Sequence, residues 1–187
     1  MGVVYHYVRL LESELRTVVE NEQAGRRLEE RLVYSDTFEQ VGRGPAFPEA
    51  SLADVDKAWD GIRFVLDGEP FVYSGPSRTD KLGGHTVHGV HEAPYEWPRG
   101  HMIWIGYSHA DEVRTLALRL EQIDFDGALL EAERTISSSQ EGGWDKPWVN
   151  TAPYVWSGEY LRHWYGELAA FYHGAAKRGE GVIVYQS

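Results

Sequence analysis

The histidines are the residues whose types and spacing most suggest chemistry. Eight occur in 187 residues, and three of them form His85-x2-His88-x2-His91 with Glu92 adjacent. Imidazole nitrogens and a carboxylate are ligands for zinc-type metals, and they also serve as acid–base groups near neutral pH. The spacing suits neither regular element. On a strand His85 and His88 face opposite sides, and on a helix His91 rotates away from the other two. Convergence needs an irregular loop, which Gly84 and Gly89 permit. A histidine loop is therefore expected, with His85, His88, His91 and Glu92 as candidate metal ligands or acid–base groups. The plainer alternative is a set of loop histidines making ordinary hydrogen bonds.

A second group is Asp56, Lys57, Trp59 and Asp60. On one helix Asp56 and Asp60 share a face at i, i+4. Paired carboxylates do acid–base work when their environments push their pKa values apart. Capping and surface charge are the commoner use, and Trp59 is expected to anchor the core. A third group is aromatic: Trp144, Trp148, Tyr154 and Trp156 crowd one stretch, with Glu141 and Asp145 beside them. Trp and Tyr dominate binding hot spots, which makes these six residues the candidate partner-binding patch. Burial of the rings is the alternative. The chain has no cysteine, so a thiol nucleophile and thiolate zinc ligands are excluded. It also lacks a Gly-x-Ser-x-Gly elbow, a phosphate loop and a dinucleotide fingerprint. No catalytic residue is assigned, and no cofactor is implied.

Charge narrows the partners. Lys and Arg total 18 against 29 Asp and Glu, a formal net charge of −11. Such a surface repels the phosphate backbone, so no nucleic-acid partner is expected, whereas encounter with a basic protein is favoured. No run approaches the roughly 20 apolar residues of a membrane span. The start, Met1-Gly2-Val3-Val4-Tyr5, lacks a basic leading region and a cleavage site, and with the absence of cysteine a cytoplasmic location is expected. Oligomeric state has no sequence signal.

These groups must be positioned by a single α+β domain over residues 1–187, with a mixed sheet and several helices. Residues 3–10 are β-branched and aromatic and read as a strand. Short helices follow, one capped by Ser13 and one over 23–33 with Leu28 and Leu32 as its stripe. The stretch 42–48 reads as a Gly/Pro loop. A helix is expected over 51–66, with Val55, Trp59, Ile62, Val65 and Leu66 on one stripe and Gly68 ending it. A short apolar run follows at 71–73. Residues 81–98 read as loop with a short strand near 86–90. Residues 101–107 read as a strand, and Ser108 as the cap of a helix carrying Val113, Leu116, Ala117 and Leu120. A short helix over 124–134 precedes a loop over 135–153. The long amphipathic C-terminal helix is the clearest element. Ser157 caps it, its stripe runs from Leu161 to Ala175, and Gly179 ends it. Val182-Ile183-Val184-Tyr185 is the final, central strand.

Three stretches together resemble the YfbM-like family, a bacterial domain family of unknown function. They are the N-terminal strand with Leu10-Leu11-Glu12-Ser13-Glu14-Leu15, the helix Val55-Asp56-Lys57-Ala58-Trp59 through Gly68, and the closing helix and strand from Leu168 to Tyr185. Leu82-Gly83-Gly84 matches a short glycine turn of the family. Family members often carry His at the positions of Asp60 and Arg63. The resemblance implies an α+β domain of bacterial origin and brings no reaction or cofactor. Two functions are carried forward. The first is a protein-binding module, for instance an immunity-type protein that neutralises a toxin. The second is a small-molecule hydrolase built on the histidine loop, with or without a metal.

Overall fold

The final strand is the centre of the molecule. In this computed structural model, which describes residues 4–36, 52–56, 58–68, 80–94, 103–141 and 157–186, strand β5 (Glu180–Gln186) is the third of five. On one side it pairs with β1 (Tyr5–Leu11), which pairs in turn with β2 (Leu52–Asp54). On its other side lies β4 (Ile103–Ser108), followed by β3 (His91–Glu92). Every one of these pairings is antiparallel, so the expected mixed sheet is corrected to an antiparallel one. The strands come from distant parts of the chain, yet no pairing needs the parallel crossover of a βαβ unit.

β5 is apolar from Val182 to Tyr185, where both of its faces are covered. Val182 and Val184 point into the larger core, while Ile183 and Tyr185 point into a smaller one. Helices α1 (Glu12–Glu20) and α2 (Glu22–Asp36) close the smaller core with Leu15, Val18, Leu28 and Leu32. The larger core lies under α3 (Trp59–Asp67), α4 (Leu82–His88), α5 (Ala110–Gln122), α6 (Phe125–Glu141) and α7 (Gly158–Arg178). The chain is thus an α+β domain with helices on both faces of the sheet.

Several expected elements stand as read. Val113, Leu116, Ala117 and Leu120 are all buried on α5. The Ser157 hydroxyl accepts the Tyr160 N–H at the start of α7, and Gly68 and Gly179 end α3 and α7 in the left-handed conformation. Other elements are corrected. The helix expected from 51 begins at Trp59, because residues 52–54 pair with β1 instead. Helix α6 continues to Glu141, through the start of the expected 135–153 loop. Ser108 does not cap α5. It is buried as the last residue of β4, and its hydroxyl accepts the Val90 N–H at 3.0 Å. The expected features at 42–48, 71–73 and 142–156 lie outside the described residues.

The largest correction concerns the histidine stretch. It is not a loop: residues 82–88 form α4, and the strand expected near 86–90 is the short β3 at His91–Glu92. The caps of α4 come from elsewhere in the chain. The Asp67 carboxylate, at the end of α3, accepts the N–H groups of Gly83 (2.7 Å) and Gly84 (2.9 Å). These are two of the orphan donors of a helix start, and a carboxylate there also suits the helix dipole. At the other end Tyr7 and Tyr172 donate their hydroxyls to the carbonyls of Val87 and Thr86. Gly83 is required by the approach of α4 to α3, since a Cβ would lie 2.9 Å from the Arg63 carbonyl oxygen. Gly89 turns the chain with φ +82° against β4, where a Cβ would meet the Tyr107 nitrogen at 2.6 Å.

Candidate functional site

The fold divides the three histidines of the motif. His85 lies part-exposed on α4, and His88, one turn later, has no exposed surface. His88 packs edge-on against Tyr5 and Trp59, and its Nε2 is 3.4 Å from the Arg63 guanidinium. Arg63 is itself buried beside Asp67, with Nε and Oδ2 3.9 Å apart. His91 stands beyond Gly89 on the sheet edge, and Glu92 is exposed. Among the described residues, no group of three or more His, Asp and Glu side chains is placed to hold a metal ion.

Burial also sets the state of the phenols that hold α4. Tyr7 and Tyr172 are fully buried, and burial is the main cause that raises both above the usual tyrosine range. Both therefore remain neutral donors at physiological pH. Arg9, buried under α7 with its guanidinium over the Phe171 ring, is lowered by burial and by Arg178.

The second group is also divided. Asp56 precedes α3 in a turn at φ +45°, where it accepts the Tyr160 hydroxyl at 2.7 Å. Asp60 is buried in the first turn of α3. The two carboxylates do not share a helix face, which corrects the i, i+4 reading. Trp59 is buried in the larger core, as expected. Of the aromatic patch, Trp144, Asp145, Trp148, Tyr154 and Trp156 lie outside the described residues, and Glu141 is the last residue of α6.

A constellation that the sequence reading did not assemble lies at the start of α5. His91 Nε2 meets Glu112 Oε1 at 2.7 Å, and His109 Nδ1 meets Glu12 Oε1 at 2.9 Å. The same two carboxylates hold the helix start. Glu112 Oε2 accepts the His109 N–H at 2.8 Å, and Glu12 Oε2 accepts the Ala110 N–H at 2.9 Å. Arg16 Nε also donates to Glu12. The rings of His91, Tyr107 and His109 meet with centroids 5.0–5.4 Å apart. This network ties β3, β4, α1 and α5 together, so it has a structural use. It also sits at the surface, with His91 42% and His109 24% exposed at the side chain. Of its members, only His91 belongs to a motif visible in the sequence; Glu112 stands three residues after His109, the residue that precedes α5, and not after the expected cap Ser108. Glu12 lies 97 residues from His109, and no spacing rule joins them.

With this geometry in place, the relatives of the chain bear on its fold. A family model described as a domain of unknown function, DUF1877, matches residues 1–185, and the chain belongs to that family. The crystal structure of a protein of unknown function, YfbM from Escherichia coli, is similar over 98% of this chain and 99% of that one, with a TM-score of 0.57 at 15% identity. At that identity the likeness concerns the fold. No curated protein matches the chain.

Proposed function

We propose that this protein is a binding module for a basic protein partner, in the manner of an immunity-type protein that neutralises a toxin. The contact surface is assigned to Trp144, Trp148, Tyr154 and Trp156 with Glu141 and Asp145, together with the face of α6 around Leu130. The observation that supports the reading most is Leu130 on α6. It is 50% exposed, and exposed Asp126, Glu131 and Glu133 flank it. An apolar anchor inside a charged rim is the common anatomy of a protein interface. Glu131 pairs with Arg134 and Asp126 with Arg162, so the rim of three acids and two arginines keeps an excess of one acid. The overall charge of −11 adds long-range attraction for a cationic partner.

The test is retention of a stoichiometric protein from native lysate at about 150 mM salt, where long-range attraction between exposed charges is largely screened. Wild-type protein is expected to retain one basic partner. Leu130→Asp and the pair Trp144→Ala with Trp148→Ala are each expected to release it while keeping the wild-type melting curve. Retention by all of these variants contradicts the assigned surface, and an empty capture by wild type contradicts the binding role.

A further inference from the structure

His109, like His91, is held by a carboxylate. Its Nδ1 faces Glu12, and a carboxylate can only accept, so in the neutral ring Nδ1 carries the proton and Nε2 keeps its lone pair. Nε2 makes no hydrogen bond to any described residue. Glu12 is itself fixed by three donors: the imidazole, the Ala110 N–H and Arg16 Nε. The ring is packed edge-on by both His91 and Tyr107, which fixes its plane. A carboxylate that orients an imidazole, with the second nitrogen left unbonded by the described residues, is the arrangement of a general base.

We propose that Glu12 and His109 form a general-base pair that hydrolyses a small ester at the start of α5, an activity distinct from the binding role above. Water gives a proton to His109 Nε2 as its oxygen bonds to the acyl carbon, and the carbonyl electron pair moves onto the carbonyl oxygen. Collapse of that tetrahedral species breaks the bond to the leaving oxygen, which takes the proton back from Nε2. The products are the acid and the alcohol, and the imidazole is restored. His109 is the catalytic residue in this scheme and Glu12 the positioning residue. Glu12, Asp111 and Glu112 make the surroundings acidic, so a neutral or cationic ester is accepted and an anionic one is repelled.

The experiment compares 4-nitrophenyl acetate with the anionic mono-4-nitrophenyl succinate. Wild type and His173→Gln, a variant at an exposed histidine of α7, are expected to hydrolyse the acetate alike and to favour it over the succinate. His109→Gln is expected to lower the rate about 100-fold, the lower end of what a general base contributes. Glu12→Ala is expected to lower it as well, and nitrogen NMR should show His109 losing the Nδ1–H tautomer in that variant. Melting curves confirm that each variant is folded. The proposal is overturned if wild type is no faster than the same concentration of free imidazole, or if folded His109→Gln keeps the wild-type rate. It is also overturned if Glu12→Ala leaves both rate and tautomer unchanged.

Discussion

His88 and His91 are three residues apart in one sequence motif and have opposite surroundings. His88 ends α4 with no exposed surface, among Tyr5, Trp59 and Arg63. His91 sits past a left-handed glycine at the sheet edge, 42% exposed and paired with Glu112. What separates them is Gly89, which turns the chain from the core to the rim. A regular motif in sequence is thus no guide to a common site, because one residue of unusual backbone can send its members to different layers. The inner region is held by buried neutral donors and packed rings. The outer region is held by surface ion pairs whose stabilising contribution is small.

That contrast can be broken at its strongest point first. His88→Ala removes a fully buried ring and leaves Arg63 without the imidazole beside it, so we expect a loss of about 4 kcal/mol, measured by urea unfolding. A cost under about 1 kcal/mol would place His88 outside the core. The two phenols that cap α4 give a pH signature. Their folded pKa values lie above the unfolded value near 10, so the stability they confer is complete below pH 10 and is lost as pH rises beyond it. Each should remove about 1.4 kcal/mol per pH unit above that point, and Tyr172→Phe should lower the slope by that one increment, leaving those of Tyr7 and Tyr165. An unchanged slope would mean that Tyr172 ionises in the folded protein.

The hinge between the two regions is next in size. Gly89→Ala forces a strained φ and a clash with the Tyr107 backbone, and we expect about 2 kcal/mol lost in the same urea experiment. A neutral result would show that the turn relaxes freely. The smallest effect belongs to the rim. His91→Ala removes one exposed pair and should cost about 0.5 kcal/mol. A loss as large as that of His88→Ala would erase the distinction between the two histidines.

The sequence was most informative where the determinants are local. The stripe of α5, the Ser157 cap, the Gly179 stop and the central position of β5 all follow from patterns within about 20 residues. α4 was unreadable for a physical reason. Its N-terminal cap is a carboxylate 16 residues upstream, and its C-terminal partners are phenols on β1 and α7. Glycines and histidines without a period look like loop until those partners are in place. The His109–Glu12 pair was hidden in the same way, because only the packing of α1 beside the start of α5 brings it together. The spacing of His91 points to His85 and His88, and its actual partner is Glu112.

Site-resolved carbethoxylation most directly tests the division of the histidines into a buried structural member and a reactive rim. The folded protein is treated with diethyl pyrocarbonate, and each histidine is followed by mass spectrometry. His91 and His109 are expected to be modified alongside exposed His173, while His88 stays unmodified until urea unfolds the chain. Modification of His88 in the folded protein at a rate within about tenfold of His173 would contradict that division.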